Sequence, residues 1–232
     1  AANSAAGAVA ANGRLVNSPT WLSSGAPVSS GTKISVSIAN TQTGAVSLTG
    51  NTALKGLSSG SGSYNLAITG TTNTIDNATT ISNTGALTLG SIGGSTTFAS
   101  SLIAITNSSL VIAGSLSVNG DSNIGNSSFD VAMTANTTLS SASSMTFGGN
   151  LQGAYSLTKT GSGTLTLTGN NTFTGATVIS QGTLHVTGSL ADTTAVSIAS
   201  GATYSVGAND TIASLAGAGN VNLNGFTLTT GT

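Results

Sequence analysis

The sequence predicts an all-β fold, a solenoid of stacked parallel coils with about 19–23 residues in each coil. Two observations carry this prediction: an alternating strand motif that recurs along the chain, and a nearly constant spacing between its copies. A third, an almost uncharged composition rich in Ser, Thr, Asn and Gly, is typical of a β protein with a neutral hydroxyl surface. No long segment shows a 3.6-residue period, so we expect almost no helix.

The recurring motif is apolar, polar, apolar, polar, and often a glycine. Strict alternation is typical of a strand with one buried face, and the glycine that follows allows the backbone to turn. The motif occurs at residues 46–50, 66–70, 87–90, 116–120, 165–169, 184–188 and 221–225.

The spacing of these strands indicates stacked coils. One series advances in steps of 20, 21, 23 and 21, through Leu48, Ile68, Leu89, Ile112 and Met133. After an irregular step of 14, a second advances in steps of 20, 19, 20 and 22, through Phe147, Leu167, Val186, Val206 and Leu228. One coil cannot bury its own apolar side, whereas stacked coils cover one another. We therefore expect Leu167, Val186 and Val206 to form one interior column, in a rod of nine or ten coils about 45 Å long.

The competing interpretation is an antiparallel β-sandwich, in which short strands recur every ~8–12 residues. The Asn119-Gly120 and Asn224-Gly225 pairs would then form hairpin turns. The nearly constant spacing favours the solenoid, because hairpin loops vary more in length. We assign residues 33–232 to a solenoid domain and residues 1–32, which do not follow the period, to an N-terminal arm or cap.

The charge and cysteine content narrow the possible functions. Charged residues make up 4% of the 232 residues, against about 25% in ordinary soluble domains. A net charge of −1 gives no field that would attract nucleic acid or an anionic membrane. The chain has no cysteine and no apolar run near the ~18 residues of a membrane helix, so we expect neither disulfides nor membrane insertion.

A chain that begins at Ala1 is expected of a protein whose signal peptide has been removed, or of a fragment.

Residues 155–186 read YSLTKTGSGTLTLTGNNTFTGATVISQGTLHV and resemble the passenger-associated transport repeat of bacterial autotransporters. The resemblance is strong over about residues 145–232 and only compositional upstream. It implies a right-handed parallel β-helix that is secreted, at the bacterial cell surface or outside the cell, and it names no ligand. The matching positions include Leu157, Lys159, Gly161, Gly163, Thr164, Leu165, Leu167, Gly169, Asn171, Thr172, Phe173, Gly175, Ile179, Gly182, Leu184 and Val186.

Side chains suited to catalysis or metal binding are sparse. His185 is the only histidine, and because its neighbours Leu184 and Val186 take the buried face, its imidazole should lie on the outer surface. The separation of Asp121 and Asp130 is not one coil, so they should not stack. We therefore expect no catalytic residue, no cofactor and no metal site. The lysines are too few for a nucleic-acid track: Lys33, Lys55 and Lys159.

The first functional hypothesis is an extracellular structural solenoid, a subunit of a surface fibre or stalk or an adhesin passenger, and not an enzyme. An open solenoid end leaves backbone groups unpaired and recruits other chains, so head-to-tail assembly into a homo-oligomer or fibre is expected. The residues assigned to assembly are Trp21 and Leu22 in the N-terminal arm and Phe226 and Leu228 in the last coil. Alternatively, the arm folds back and caps its own first coil.

The second hypothesis is a ligand-binding solenoid. Thr164, Thr166 and Thr168 share one outward face, where their hydroxyls would order water, as in ice-binding solenoids, or hydrogen-bond sugars. For an adhesin, the partners would be host or matrix glycans or proteins. A third hypothesis, a carbohydrate-active β-helix enzyme, is disfavoured because it requires paired carboxylates or a metal on neighbouring coils.

Overall fold

The structure is a computed structural model that describes residues 14–15, 33–40, 42–127 and 130–231. These residues form strands, turns and loops, and none of them is helical. The strands are β1 (Arg14–Leu15), β2 (Ile34–Ile38), β3 (Val46–Leu48), β4 (Thr52–Ser59), β5 (Leu66–Ile68), β6 (Thr72–Ile75), β7 (Thr79–Ile81), β8 (Leu87–Leu89), β9 (Ser95–Phe98), β10 (Leu102–Ala104), β11 (Leu110–Val118), β12 (Ser122–Ile124), β13 (Asp130–Ser141), β14 (Ser144–Phe147), β15 (Asn150–Gln152), β16 (Leu157–Thr160), β17 (Thr164–Leu167), β18 (Thr177–Ile179), β19 (Thr183–Val186), β20 (Ala195–Ile198), β21 (Thr203–Val206), β22 (Asp210–Ile212), β23 (Ser214–Gly217), β24 (Asn220–Asn222) and β25 (Leu228–Thr230).

The strands stack as a parallel β-solenoid of about ten turns, which confirms the predicted fold class. Every pairing between the described strands is parallel, so the antiparallel sandwich is wrong, and neither Asn-Gly pair closes a hairpin. The right-handed sense of the coil stays a prediction.

Three sides make up each coil, and equivalent strands of successive coils pair along each side. Side 1 runs through β3, β5, β8, β11, β13 and β15, continues past a parallel bridge between Asn170 and Ser189, and ends in the pair β22–β25. Side 2 runs through β4, β6, β9, β11, β13, β16, β18, β20 and β23. Side 3 runs through β2, β4, β7, β10, β12, β14, β17, β19, β21 and β24. The longer strands β4, β11 and β13 continue around a corner and so contribute to two sides.

The corner in β11 depends on one glycine. The pairing between β11 and β13 shifts register between Ile112 and Gly114, and Gly114 has a φ of 72°. A side chain is strained in this left-handed conformation, and a Cβ at Gly114 would also overlap the carbonyl oxygen of Gly94 on the previous coil. Glycine therefore lets β11 pass from side 1 to side 2 while the coils stay in contact.

Interior columns of apolar side chains run along the solenoid axis, as the spacing predicts. Leu167 pairs with Val186, and Val186 with Val206, and each is at most 1% exposed. On side 1 the predicted series is confirmed through every one of its members, Leu48, Ile68, Leu89, Ile112 and Met133. The irregular step from Met133 to Phe147 arises because Met133 lies on side 1 and Phe147 on side 3.

The predicted position of Leu228 in the column of Val206 is wrong. Leu228 belongs to β25 on side 1, where it pairs with Asp210. On side 3, the residues before Val206 pair with residues 220–222 of β24. The last side-3 step is therefore shorter than the coil period, and the chain then turns and returns to side 1.

The N-terminal segment contributes one short strand to the solenoid. Arg14 and Leu15 of β1 pair in parallel with Ser37 and Ile38 of β2 on side 3. At these two residues the segment extends side 3 by one short strand, and the choice between an arm and a cap stays a prediction. The division at residue 32 and the remaining residues of the arm stay predictions.

Buried amides occupy one interior corner of the stack. Asn83 Nδ2 donates to the Tyr64 carbonyl oxygen at 2.8 Å, and Asn107 Nδ2 donates to both the carbonyl oxygen and Oδ1 of Asn83 at 3.0 Å. Both asparagines are almost completely buried. Their side chains supply hydrogen bonds where the turning backbone cannot pair with the next coil.

Candidate functional site

Two of the four residues assigned to assembly lie within the described structure. Trp21 and Leu22 lie outside the described residues. Phe226 is 40% exposed in the turn between β24 and β25, and Leu228 is partly buried against the core. The structure thus places both described residues at the C-terminal end of the solenoid, where their part in assembly stays a prediction.

The last described coil leaves the interior columns open. Val221 pairs with Tyr204, which is fully buried, and below them the same column passes through Leu184 and Leu165. Val221 itself is 39% exposed, and Leu223 is 44% exposed. No described residue covers this end, so apolar side chains at the end of the core face solvent.

A tight turn after β24 folds back against the outer surface of side 3. Phe226 N donates to the Leu223 carbonyl oxygen at 2.8 Å, and Asn224 and Gly225 have φ values of 48° and 87°. Asn and Gly tolerate this left-handed conformation better than other residues. As a result Asn224 Nδ2 reaches side 3, where it donates to Ser205 Oγ and to the Val206 carbonyl oxygen, both at 2.9 Å.

His185 lies beside this turn on the outer face of β19. The outer location is as predicted, but the imidazole is partly buried and has a fixed partner. Its Nδ1 lies 3.0 Å from Ser205 Oγ and 3.2 Å from the Ser205 carbonyl oxygen. A Cβ at Gly207 would come within 2.9 Å of His185 Cε1, so the glycine leaves the space that the ring occupies. Ser205, which also accepts from Asn224, therefore joins the imidazole to the turn.

Together these residues form an open cleft of about 430 Å3 on side 3. Sequence reasoning identified the outward position of His185 but missed its partners Ser205 and Asn224. The coil period could have found Ser205, which lies one coil after His185 and in direct register with it. The cleft is lined by Thr164, Thr183, His185, Ser205, Gly207, Asn224 and Phe226.

The outward threonines do not continue as an unbroken array. Thr164 stacks on Thr183 and Thr183 on Thr203, but the neighbouring column places His185 directly on Thr166. On side 2, Val178 stacks on Thr158. The regular hydroxyl face considered for water ordering is therefore interrupted within one coil of β17.

Lys159 is buried inside the solenoid. It pairs with Leu139 on one side and Ile179 on the other and is 0% exposed. Its Nζ donates to the carbonyl oxygens of Thr160, Gly161 and Gln181, at 2.6, 2.8 and 3.2 Å. Burial lowers the pKa of this amine to about 8, because a charged ammonium is costly away from water. The amine thus binds one corner to the next coil and does not face a ligand.

Two further ionisable side chains, the buried Tyr204 and the partly buried Asp210, lie near the C-terminal end. Burial raises the pKa of the Tyr204 hydroxyl, and the nearby Asp210 charge raises it further. Burial also raises the pKa of Asp210, although Asp210 accepts hydrogen bonds from the backbone N–H groups of Leu190 and Thr211, both at 3.0 Å. Asp210 therefore holds the side-1 corner together by bonding to two backbone donors.

The described residues contain no cluster of three or more His, Cys, Asp or Glu side chains placed to hold a metal ion. None of the described residues forms a helix of the length and hydropathy needed to cross a bilayer.

Comparison with known proteins gives one match. No curated protein and no solved structure matches the chain. Residues 157–186 match the family described as passenger-associated-transport-repeat, over the strands β16 to β19. This segment includes Lys159, and its last strand carries His185. The repeat suggests secretion to the cell surface, and together with the parallel solenoid it is consistent with an autotransporter passenger.

Proposed function

We propose that this chain is a structural solenoid of the bacterial cell surface or extracellular space, a passenger that serves as a stalk or fibre subunit and assembles head to tail. The observation that carries the proposal is the single hydrophobic core shared by the stacked parallel coils, together with the exposed apolar side chains of Val221 and Leu223 in the last described coil. The passenger repeat supports the location, and a hydrophobic core that extends through the described coils supports a load-bearing role.

The surface that another coil would cover consists of Val221, Leu223 and the partly buried Leu215 and Leu228. Exposed apolar side chains and a free strand edge together favour addition of a further coil. A second copy of this chain is the partner that we propose, because its coils have the same three-sided cross-section and pair in parallel with a similar coil period. Electrostatic repulsion between copies is small, since the net charge is only −1.

The structural role is preferred to an enzymatic one because Asp121 and Asp130 each bond to the next coil and lie on different sides of the solenoid. Asp121 accepts hydrogen bonds from the Ser143 hydroxyl and the Ser144 N–H on the next coil, and Asp130 accepts one from Asn150. Asp121 precedes β12 on side 3, whereas Asp130 begins β13 on side 1, so the two carboxylates do not form a pair across a substrate.

The proposal is tested by the oligomeric state of the purified chain. Sedimentation velocity from low to high micromolar concentration should show reversible association, and negative-stain microscopy should show rods in multiples of about 45 Å. Val221→Asp should abolish association while leaving the β circular-dichroism spectrum unchanged, because it places a charge in the buried contact. The matched control is Ile92→Asp, at an apolar side chain that is 78% exposed and lies away from the end.

A parent chain that remains monomeric at every concentration would contradict head-to-tail assembly. Equal loss of association in both variants would also contradict it, because the contact would then not be located at the open coil.

A further inference from the structure

We propose that the side-3 cleft formed by β19, β21 and the turn of residues 223–227 is a binding site for a neutral sugar ring. The inference goes beyond the structural role. The floor of the cleft is the outer face of side 3, whereas its rim is the turn after β24 in the last described coil, so binding is tested on a non-assembling variant as well. It rests on four features of the cleft: its size, an exposed aromatic ring, unused polar groups and the absence of charge from its walls.

The size of the cleft suits one or two pyranose units. Its volume of about 430 Å3 is toward the lower end of the ~300–1,000 Å3 of small-molecule sites, and the cleft is shallow and open to solvent, so a bound sugar would stay partly exposed. The strands beneath it belong to three successive coils, β17, β19 and β21, which pair in register and make a rigid floor. The turn of residues 223–227 makes the rim, and the two hydrogen bonds of Asn224 fix it to that floor.

The rim carries one exposed aromatic side chain. Phe226 is 40% exposed, next to a floor of hydroxyl and imidazole groups. An exposed phenyl ring offers a flat apolar surface with a negative face, which attracts the C–H groups on one face of a pyranose. A sugar is the ligand that combines such an apolar face with hydroxyls around its edge, so it can contact Phe226 and the floor at once.

The floor offers unused hydrogen-bonding groups. His185 Nδ1 is held by Ser205, and His185 Nε2 has no hydrogen bond within the described part of the chain. The hydroxyls of Thr164 and Thr183 likewise have no partner among the described residues. Imidazole and hydroxyl groups both donate and accept, as sugar hydroxyls do, so each can pair with a sugar hydroxyl in either direction.

The walls of the cleft select against a charged ligand. None of its lining residues is Asp, Glu, Lys or Arg. A carboxylate, phosphate or ammonium group entering the cleft would lose water without gaining an ionic partner, which costs more than burying a neutral hydroxyl. The ligand class is therefore a neutral glycan, not an anionic polysaccharide.

The same geometry distinguishes the cleft from a water-ordering surface. Ordering of water by a solenoid needs a repeated array of hydroxyls, and His185 interrupts this array next to Thr166. The imidazole and the phenyl rim together form a single local site, which suits one bound ring.

The experiment is a proton NMR titration of the full chain, at a protein concentration too low for the chain to self-associate. His185 is the only histidine, so its Hε1 signal reports on the cleft without assignment of the whole spectrum. The probes are the methyl glycosides of glucose, galactose, mannose and N-acetylglucosamine, with methyl glucuronide as the charged comparison and adenosine as the flat aromatic comparison. We expect a saturable shift with at least one neutral glycoside, at millimolar affinity, and a much smaller response to both comparison compounds.

Two variants locate the binding. Phe226→Ala should weaken it about tenfold, the loss expected when one aromatic contact is removed. Tyr155→Ala is the matched control, since Tyr155 is 39% exposed, lies outside the cleft and should leave the affinity unchanged.

No saturable shift with any neutral glycoside overturns the proposal, and so does equal affinity of the parent and Phe226→Ala. Tighter binding of the glucuronide or adenosine also overturns it in favour of those ligand classes. Repeating the titration on Val221→Asp keeps the result separate from assembly, because sugar binding should persist in that variant.

Discussion

Raising the pH should stabilise this solenoid through Lys159, whose amine is buried between Leu139 and Ile179. The amine donates to three backbone carbonyl oxygens, but these dipoles do not fully replace the water that a charged ammonium loses. The ion pair found among the described residues joins Lys33 and Asp76 on the surface and does not involve Lys159. The free energy of unfolding is therefore higher once the Lys159 amine is neutral.

The magnitude follows from the pKa of Lys159, which burial lowers from 10.5 to about 8. Below pH 8 the amine is charged in both the folded and the unfolded chain, and the full cost of burying the charge is present. Between pH 8 and 10.5 the folded chain loses the proton while the unfolded chain keeps it, so the free energy of unfolding rises with pH. At about 1.4 kcal/mol for each pKa unit, the gain between pH 7 and pH 10 is roughly 2–3 kcal/mol.

The measurement compares the parent with Lys159→Met, using urea unfolding followed by circular dichroism at pH 7, 8, 9 and 10. The comparison is needed because the pKa values of Tyr64 and Tyr204 are raised in the fold, so their ionisation in the unfolded chain lowers stability near and above pH 10. Both variants keep these tyrosines, and the difference between them isolates the lysine. If Lys159→Met does not fold, Lys159→Gln replaces it. If the free energy of unfolding had the same pH dependence in the parent and the variant, the conclusion that the core buries a charged amine would be refuted.

Two further predictions test the packing between coils, both by urea unfolding. Leu167→Asp places a carboxylate in an apolar column and should cost about 3–5 kcal/mol, whereas Thr166→Asp on the outer face of the same strand should cost less than about 1 kcal/mol. Equal stability of these two variants would show that the register of β17 is wrong. Gly163→Ala should cost about 1–3 kcal/mol, because the new Cβ would overlap the carbonyl oxygen of Ser143 on the previous coil. Ser162→Ala, at the exposed neighbouring position, is its control, and a loss of stability there as large as that of Gly163→Ala would contradict the predicted clash.

Much of this fold was predictable because a solenoid repeats its own local rules. Strand alternation identified the inward residues, and the constant period identified which of them share a column, as for Leu167, Val186 and Val206. Each coil pairs only with its neighbours, so a sequence period translates directly into spatial contact. The same rule correctly predicts that His185 lies on the outer face.

The prediction was wrong where the chain left its period. The step from Val206 to Leu228 is close to one coil, yet Leu228 lies on side 1 because the turn at Asn224 and Gly225 ends side 3 early. The spacing of apolar residues along the chain does not reveal such a turn, because the left-handed backbone there depends on how the turn packs against side 3.

The sequence alone determined the all-β class, the coil period, the neutral surface and the passenger repeat. Only the tertiary structure decided which groups the Lys159 amine reaches inside the core, among them the Gln181 carbonyl oxygen on the next coil. It also decided that Ser205 and Asn224 hold His185 at the edge of a cleft. The physical reason is the same in both cases: alternation assigns a side chain to the inside or the outside of its own strand, whereas hydrogen bonds between coils join groups that are far apart along the chain, and their partners depend on how the corners turn.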